Sequence, residues 1–159
     1  MDREHPELNV VVRNLSLEDL AALVRIDRQI TGRSRQKWYE GKLRRALRDS
    51  DVQISLGAER DGMLLGAMLG SLHYGEFGQP EPIAVLDTVL VDREFSGRGI
   101  ATALLSQMVK NLQALRIERL RTEGSWDDQE LMAFFRRKGF APVPRLVLEA
   151  ELAAMPVED

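Results

Sequence analysis

The sequence contains no cysteine, which excludes disulfides, thiolate metal sites and a cysteine nucleophile. No apolar run is long enough to cross a bilayer, so we expect no membrane partner. The net charge of −3 argues against a general nucleic-acid-binding protein. The opening residues, Met1–Pro6, are too polar for a signal peptide, and we therefore predict a cytoplasmic protein.

The composition is that of an ordinary globular protein, with 44% hydrophobic and 30% charged residues. A length of 159 residues favours one domain with a real hydrophobic core. We predict a single domain over residues 1–159, with flexible ends at residues 1–7 and 153–159.

One segment carries most of the information about function. Ile83–Val91 is apolar and β-branched with one acidic interruption, which predicts a largely buried strand. Apolar residues from Ile100 to Leu115 recur at helical spacing and predict an amphipathic helix. Gly97 and Gly99 lie in the loop that opens into this helix. Such glycines leave backbone N–H groups uncovered beside the positive end of a helix, which predicts an anion-binding loop; the alternative is an ordinary turn.

Three types of phosphate-binding loop compete for this segment. A Walker-type loop needs Lys and Ser or Thr after its last glycine, but Ile100 and Ala101 follow Gly99, which excludes it. A dinucleotide-binding fingerprint needs a third glycine at position 102, where this sequence has Thr102, and this argues against it. Glu123 could serve as the acid that binds the ribose, so this alternative stays open. The spacing fits an acyl-CoA loop best.

Two motifs resemble those of the GNAT superfamily of acyl-CoA-dependent N-acyltransferases. Ser96-Gly-Arg-Gly-Ile-Ala101, after Val91-Asp-Arg-Glu-Phe95, is similar to the family pattern Gln/Arg-x-x-Gly-x-Gly/Ala and the strand end before it. Leu131–Phe140 is similar to the family's late helix, Ala-x-x-Phe-Tyr-x-x-x-Gly-Phe, with Phe135 in place of the tyrosine. The two motifs occur in the family's order and separation, and the resemblance covers the chain from Val10 to Leu152.

The resemblance implies a mixed α/β (α+β) fold with a mostly antiparallel sheet, flanked by helices and splayed between its fourth and fifth strands. The local patterns predict the same order of elements. A capping box at Ser16 begins the first helix, and Asp61-Gly62 is a strong hairpin signal. Asp127 is predicted to cap the late helix. The predicted strands are Leu8–Arg13, Val52–Glu59, Met63–Tyr74, Ile83–Val91, Ile117–Glu123 and Leu146–Leu152, and the second helix is Gln36–Arg48.

The resemblance also implies a cosubstrate, acetyl-CoA, and no metal. Its pantetheine arm would pair with main-chain atoms of the splayed fourth strand, and its pyrophosphate with the glycine loop. The implied cofactor-binding residues are Val89, Leu90, Val91, Ser96, Gly97, Arg98, Gly99, Ile100, Ala101, Thr102, Phe134 and Phe135. Ser96 stands where the family has Gln or Arg, and we expect this to weaken pyrophosphate binding without abolishing it.

Acetyl transfer to an amine requires a group that removes a proton, since free amines are almost entirely protonated near neutral pH. Asp87 interrupts an apolar strand and Glu123 ends the next one, so both are candidate bases. The alternative is that Asp87 bonds a neighbour and Glu123 faces solvent. The family's acid for the departing thiolate is the tyrosine that Phe135 replaces; Tyr74 and His73 are candidate substitutes by polarity alone.

The segment Arg25–Arg48 is strongly basic, and the family's acceptor site is lined by the loop within it. Arg33, Arg35 and Tyr39 are therefore predicted to bind an acceptor that carries a carboxylate or phosphate, and polyamines and aminoglycosides are disfavoured. The alternative is a solvated helix face.

We predict an N-acetyltransferase whose acceptor is an amino acid, a small anionic amine or a peptide or protein amine. A catalytically degenerate acyl-CoA sensor and a nucleotide-binding regulatory domain are the alternatives. The resemblance and the apolar final strand favour a homodimer.

Overall fold

The computed structural model describes residues 6–48, 54–75, 78 and 80–157. The chain forms two compact units, Met1–Glu123 and Gly124–Asp159, and the prediction of a single domain stays a prediction. The larger unit contains strands β1 (Val11–Asn14), β2 (Leu56–Arg60), β3 (Met63–His73), β4 (Ile83–Val91) and β5 (Leu120–Thr122). Its helices are α1 (Leu20–Thr31), α2 (Gln36–Arg48) and α3 (Ile100–Ala114), and the smaller unit contains α4 (Gln129–Arg137).

The five strands form one sheet in the order β1-β2-β3-β4-β5. Neighbouring strands are antiparallel except β4 and β5, which are parallel. Asp61 and Gly62 both have positive φ, as the tight turn between β2 and β3 requires, so the predicted hairpin is confirmed. The mixed α/β fold with a mostly antiparallel sheet is likewise confirmed.

Helices cover both faces of the sheet. Residues of α1 and α2, including Leu23 and Leu43, share a buried cluster with Ala67 of β3. A Cβ on Gly66, the preceding residue, would lie 2.8 Å from Ile100 Cγ2 of α3. Because successive strand residues point to opposite faces, α3 packs on the face away from α1 and α2. Gly66 pairs with Val91, near the end of β4. Because Ile100 packs closely on Gly66, the beginning of α3 lies beside the C-terminal half of β4.

The pairing of β4 changes at Asp87. Leu69 of β3 pairs with Thr88 and Gly70 pairs with Leu86, which leaves Asp87 as an extra residue in a β-bulge. A bulge bends its strand and re-aims the side chain it carries. The acidic interruption of the apolar strand is therefore the point at which the strand geometry changes.

The pairing of β4 with β5 is short. It runs from Ala84 opposite Leu120 to Leu86 opposite Thr122, and the Thr122 hydroxyl then donates to the carbonyl oxygen of Leu86 at 2.8 Å. The rest of β4 continues to Val91 alongside β3 alone. The sheet thus opens between its fourth and fifth strands.

Three local predictions are wrong. Leu146–Leu152 is not a strand: Leu146 and Leu148 are each 87% exposed, and apolar alternation alone supplies no backbone partner. The fifth strand begins at Leu120 rather than Ile117, because the Ile117 N–H bonds back to Leu112 and closes α3. Asp128, and not Asp127, caps α4 by accepting from the N–H of Leu131 at 3.1 Å.

Other predicted boundaries hold to within a few residues. The Ser16 capping box is present, with the Asp19 carboxylate accepting from the Ser16 N–H at 2.8 Å, although a short 3₁₀ turn precedes α1. Of the predicted strand Val52–Glu59, Val52 and Gln53 lie outside the described residues. No described helix combines the length and the apolar character that a bilayer crossing requires.

Candidate functional site

The loop that follows β4 has the backbone geometry of an anion-binding site. Gly97 and Gly99 have φ of +73° and +83°, a region that residues with a Cβ rarely adopt. Gly99 is the N-cap of α3, and no side-chain hydrogen bond caps this end of the helix among the described residues. The N–H groups of Ile100, Ala101 and Thr102, in the first turn of α3, have no acceptor within the helix, whereas the Ala103 N–H already bonds the Gly99 carbonyl. They and the helix dipole favour an anion at this position.

Asp92 holds the beginning of this loop, and the sequence analysis missed it. Its side chain is 2% exposed, accepts from Arg25 Nη1 at 2.6 Å and from the Glu94 N–H at 3.1 Å, while its own N–H bonds Leu65. Burial alone would raise the pKa of Asp92, but the Arg25 and Glu94 hydrogen bonds outweigh it and the pKa lies below its ordinary value. The ion pair therefore ties α1 to the loop.

The segment before β1 lies along the same loop. The Leu8 N–H donates to the Arg98 carbonyl at 3.0 Å, and Arg98 Nε donates to the Pro6 carbonyl at 3.2 Å. A Cβ on Gly99 would lie 3.4 Å from Glu7 Cγ. The Arg98 side chain is thus engaged by Pro6, so the backbone N–H groups and the helix end are the loop's main means of attracting an anion.

The C-terminal half of β4 offers backbone groups at the sheet opening. Val89, Leu90 and Val91 pair with β3 on one side, and the β5 pairing has already ended at Leu86. Since backbone groups of a strand alternate in direction, some N–H and C=O groups here face the opening. An extended chain with amide groups can add to such an edge as an extra strand.

Asp87 sits at the bulge with its side chain 39% exposed, and two groups contact the same carboxylate oxygen. Lys42 Nζ of α2 lies 2.5 Å from Oδ1, and the Thr88 hydroxyl donates to it at 2.8 Å. Lys42 Nζ also lies 4.9 Å from the centre of the Trp38 ring. Lys42 was not among the predicted site residues, although its spacing of four residues from Trp38 places both side chains on one face of α2.

The two candidate acids lie at the same level of adjacent strands. Leu86 and Thr122 are the last paired residues of β4 and β5, and Asp87 and Glu123 follow them directly. Tyr74 is elsewhere: it follows His73, which pairs with Ile83, roughly 14 Å along β4 from Asp87. Its side chain is 72% exposed. The structure therefore places Asp87 and Glu123 at the same level of the sheet and leaves Tyr74 apart.

The predicted acceptor residues Arg35 and Tyr39 form a cluster with Asp27, in which Asp27 and Tyr39 are buried and Arg35 is exposed. Arg35 binds both carboxylate oxygens of Asp27, at 2.5 and 2.9 Å, and the Tyr39 hydroxyl donates at 3.0 Å. Hydrogen bonds from Arg35 hold the pKa of Asp27 below its ordinary value, whereas burial raises the pKa of Tyr39. This cluster joins α1 to α2, and Arg33 lies exposed between the two helices. The role of the three residues in acceptor binding stays a prediction.

In the smaller unit, Phe135 is buried and has no hydroxyl. Its ring lies 5.4 Å from the Phe134 ring and 4.9 Å from the Phe140 ring, in tilted or edge-on contacts. The aromatic cluster gives Phe135 a packing role. A phenylalanine cannot donate a proton, so the tyrosine acid of the family motif has no counterpart at this position.

Neither the arrangement of potential metal ligands nor the surface depression along α1 indicates a further functional site. Among the described residues, no group of three or more His, Asp or Glu side chains is arranged to hold a metal ion. A surface depression of about 780 Å³ lies along α1, lined by residues including Leu17, Arg28 and Gln36. It contains none of the predicted site residues.

We expect Arg25→Ala to lower the free energy of unfolding by about 2–3 kcal/mol. The change leaves the Asp92 carboxylate buried without its cation. We expect a smaller loss of unfolding free energy than for a fully buried ion pair, because the Arg25 side chain is 42% exposed and water partly screens it. Arg28→Ala, on the same helix, is the control and should change the free energy of unfolding by about 0.5 kcal/mol or less. Urea denaturation of both variants at neutral pH measures the difference.

The same pair predicts a pH dependence. Because the pKa of Asp92 is lowered in the folded protein, its stabilising effect is present above the ordinary aspartate pKa of 3.8 and is lost as the pH falls through the lowered value. The difference between wild type and Arg25→Ala should therefore shrink in strong acid. Equal stability of Arg25→Ala and Arg28→Ala at neutral pH would contradict this role of the pair.

The comparisons with known proteins agree with this geometry. The model of the acetyltransferase (GNAT) family matches residues 17–140. A search of curated proteins found no match. Similar solved structures include a transcriptional regulator from Bacillus halodurans C-125, with 14% identity, a TM-score of 0.77, and coverage of 91% of this chain and 100% of that one.

Two further structures carry acetyltransferase names. The aminoglycoside N-acetyltransferase AAC(6')-Iy in complex with CoA has 15% identity and a TM-score of 0.78, over 91% of this chain and 95% of that one. A ribosomal-protein-alanine N-acetyltransferase from Brucella melitensis biovar Abortus 2308 has 18% identity and a TM-score of 0.73, over 90% of this chain and 100% of that one. At these identities the structures establish a common fold. The family match, which spans most of the chain, goes further: the chain belongs to the GNAT family and is an acyl-CoA-dependent acetyltransferase.

Proposed function

We propose that this protein transfers an acetyl group from acetyl-CoA directly to a primary amine, through a tetrahedral intermediate. The observation that supports this most is the position of Asp87. The bulge places its carboxylate beside the opening of the sheet, where the β4 backbone is free of β5 and the glycine loop follows.

In this proposal the backbone of the larger unit binds the cosubstrate. N–H groups of residues 97–102 hold the pyrophosphate, and main-chain atoms of Val89–Val91 pair with the pantetheine amides. Ser96 and Arg98 add little, because Ser96 is uncharged and Arg98 Nε is bonded to Pro6. Phe134 and Phe135 remain predicted contacts by resemblance alone.

Asp87 acts as the base. Its carboxylate takes the proton from the acceptor ammonium, either directly or through water, so that the neutral nitrogen attacks the thioester carbonyl. An N–H group of Val89–Val91 stabilises the oxyanion that forms. The new N–C bond replaces the C–S bond, and CoA leaves as its thiolate. The attacking nitrogen loses its second proton to the departing sulfur, directly or through water, which leaves the neutral amide and CoA thiol. Because thiolates leave readily, transfer proceeds without a tyrosine at position 135; Glu123 is the second candidate base.

On the proposed acceptor side, two acids each have a cation beside them: Lys42 contacts Asp87, and Arg35 binds Asp27. Arg33, at the turn between α1 and α2, is exposed in addition. With these acids already paired, the proposed site attracts polycations weakly and favours an acceptor with a carboxylate or phosphate near its amine. We therefore propose no aminoglycoside acceptor for this protein, although the similar AAC(6')-Iy structure is named as an aminoglycoside N-acetyltransferase.

Calorimetry with acetyl-CoA, CoA, NAD and ATP tests the cosubstrate. The proposal predicts micromolar binding of the two CoA compounds and much weaker binding of NAD and ATP. Preference for NAD or ATP would support a nucleotide-binding regulatory domain and overturn the proposal. Binding of acetyl-CoA without release of CoA in the presence of any amine would instead indicate the degenerate sensor.

A further inference from the structure

The Lys42–Asp87 ion pair occupies the place that the proposed function assigns to the acceptor amine. Lys42 Nζ is a primary ammonium 2.5 Å from the carboxylate that must receive the acceptor's proton. Its side chain is only 17% exposed, and the Trp38 ring lies against the ammonium group. An acceptor amine that approaches this oxygen, Oδ1 of Asp87, must therefore take the position of the Lys42 ammonium group.

The displacement has a consequence for the acceptor's own charge. An acceptor with an amine alone replaces one cation by another at Asp87 and leaves the ammonium of Lys42 without a partner in a largely buried position. An acceptor that also carries a carboxylate gives Lys42 a new partner. One ion pair is then exchanged for two, with no charge left unpaired.

We propose that Lys42 and Asp87 together select a zwitterionic acceptor, a free amino acid; this inference rests on the proposed function. The acceptor ammonium pairs with Asp87 and its carboxylate pairs with Lys42. The flexible stem of Lys42 allows its ammonium to withdraw from Asp87 by a bond rotation or two. The Trp38 ring beside it remains a favourable cation–π neighbour as it moves.

The test compares acceptors that differ only in the carboxylate. CoA release is measured with a panel of free amino acids and with their carboxamides, at saturating acetyl-CoA. The expected kcat/KM for the best free amino acid is about tenfold to 100-fold above that of its carboxamide, because the amide cannot form the charged contact with Lys42. The free amino acid and its carboxamide should differ mainly in KM and little in kcat.

Variants assign the preference to Lys42. Lys42→Met should abolish the preference for the free acid without changing acetyl-CoA affinity, whereas Lys42→Arg should keep it. The matched control is Arg44→Met on the same helix, whose side chain pairs with Glu40 at 3.1 Å; it should keep the wild-type preference.

Three results overturn the inference. The first is equal use of acids and carboxamides by the wild type, which leaves acetyl transfer itself intact. The second is a free-acid preference that survives Lys42→Met. The third is the absence of CoA release with every amine, which overturns the proposed function and this inference with it.

Discussion

Gly99→Val will reduce the affinity for acetyl-CoA by roughly 100-fold or more while leaving the fold intact. Gly99 has a φ of +83°, and a β-branched residue is disfavoured there, so valine will turn the N–H groups of the loop away from the anion. Each lost hydrogen bond to a charged group weakens binding by about 1.5–3 kcal/mol, and two such losses account for the expected change. Calorimetry measures it.

The fold should survive, because the local strain is about 1–3 kcal/mol and the nearest neighbour, the Glu7 side chain, is flexible. Gly75→Val is the matched control: Gly75 has a φ of +70°, and a Cβ on it would meet no atom within 4 Å, so the variant bears a similar backbone strain away from the loop. It should bind acetyl-CoA as the wild type does. Wild-type affinity in Gly99→Val would show that the loop is only a turn.

Asp87→Asn will lower kcat by about 100-fold or more and leave acetyl-CoA affinity unchanged. The amide keeps the size of the side chain and accepts from Thr88, but it cannot take up a proton. Steady-state rates, with calorimetry for binding, separate the effect on catalysis from any effect on acetyl-CoA affinity.

Glu123→Gln is the control for Asp87→Asn, since Glu123 lies at the same level of the neighbouring strand. We expect Glu123→Gln to keep most of the wild-type rate. Full activity in Asp87→Asn with loss of activity in Glu123→Gln would assign the base to Glu123, directly after β5.

The elements around the site could be predicted because local patterns specify them. The bounds of α2 and β4 match the sequence prediction at both ends, since helical spacing and a continuous apolar run are each contained within the segment. The Asp61-Gly62 turn is equally local, because its two residues supply the positive φ values themselves. The two glycines of the loop meet the same requirement.

The contacts that complete the site could not be predicted, because they join distant parts of the chain. Arg25 and Asp92 are 67 residues apart, and Lys42 and Asp87 are 45 apart. Nothing in the local pattern distinguishes either cation from the other basic residues of α1 and α2. The bulge at Asp87 depends on the register between β3 and β4, which the sequence of β4 alone does not specify.

The wrong prediction of a final strand has the same origin. Alternation of apolar residues after Arg145 is a local property, whereas a strand requires a partner for its backbone groups. The basic segment Arg25–Arg48 shows the same limit of local patterns, because its sequence does not reveal which acid each cation pairs with. Arg25 binds Asp92, Arg35 binds Asp27 and Lys42 binds Asp87.

The most direct test of acetyl transfer is the release of CoA thiol from acetyl-CoA in the presence of mixed free amino acids, with the products examined by mass spectrometry. We expect thiol release that depends on the amino acids, and we expect to recover one or more of them with an acetyl group added to the amine. Tight binding of acetyl-CoA with no thiol release and no acetylated product, across amino acids and other amines, would contradict acetyl transfer by this protein.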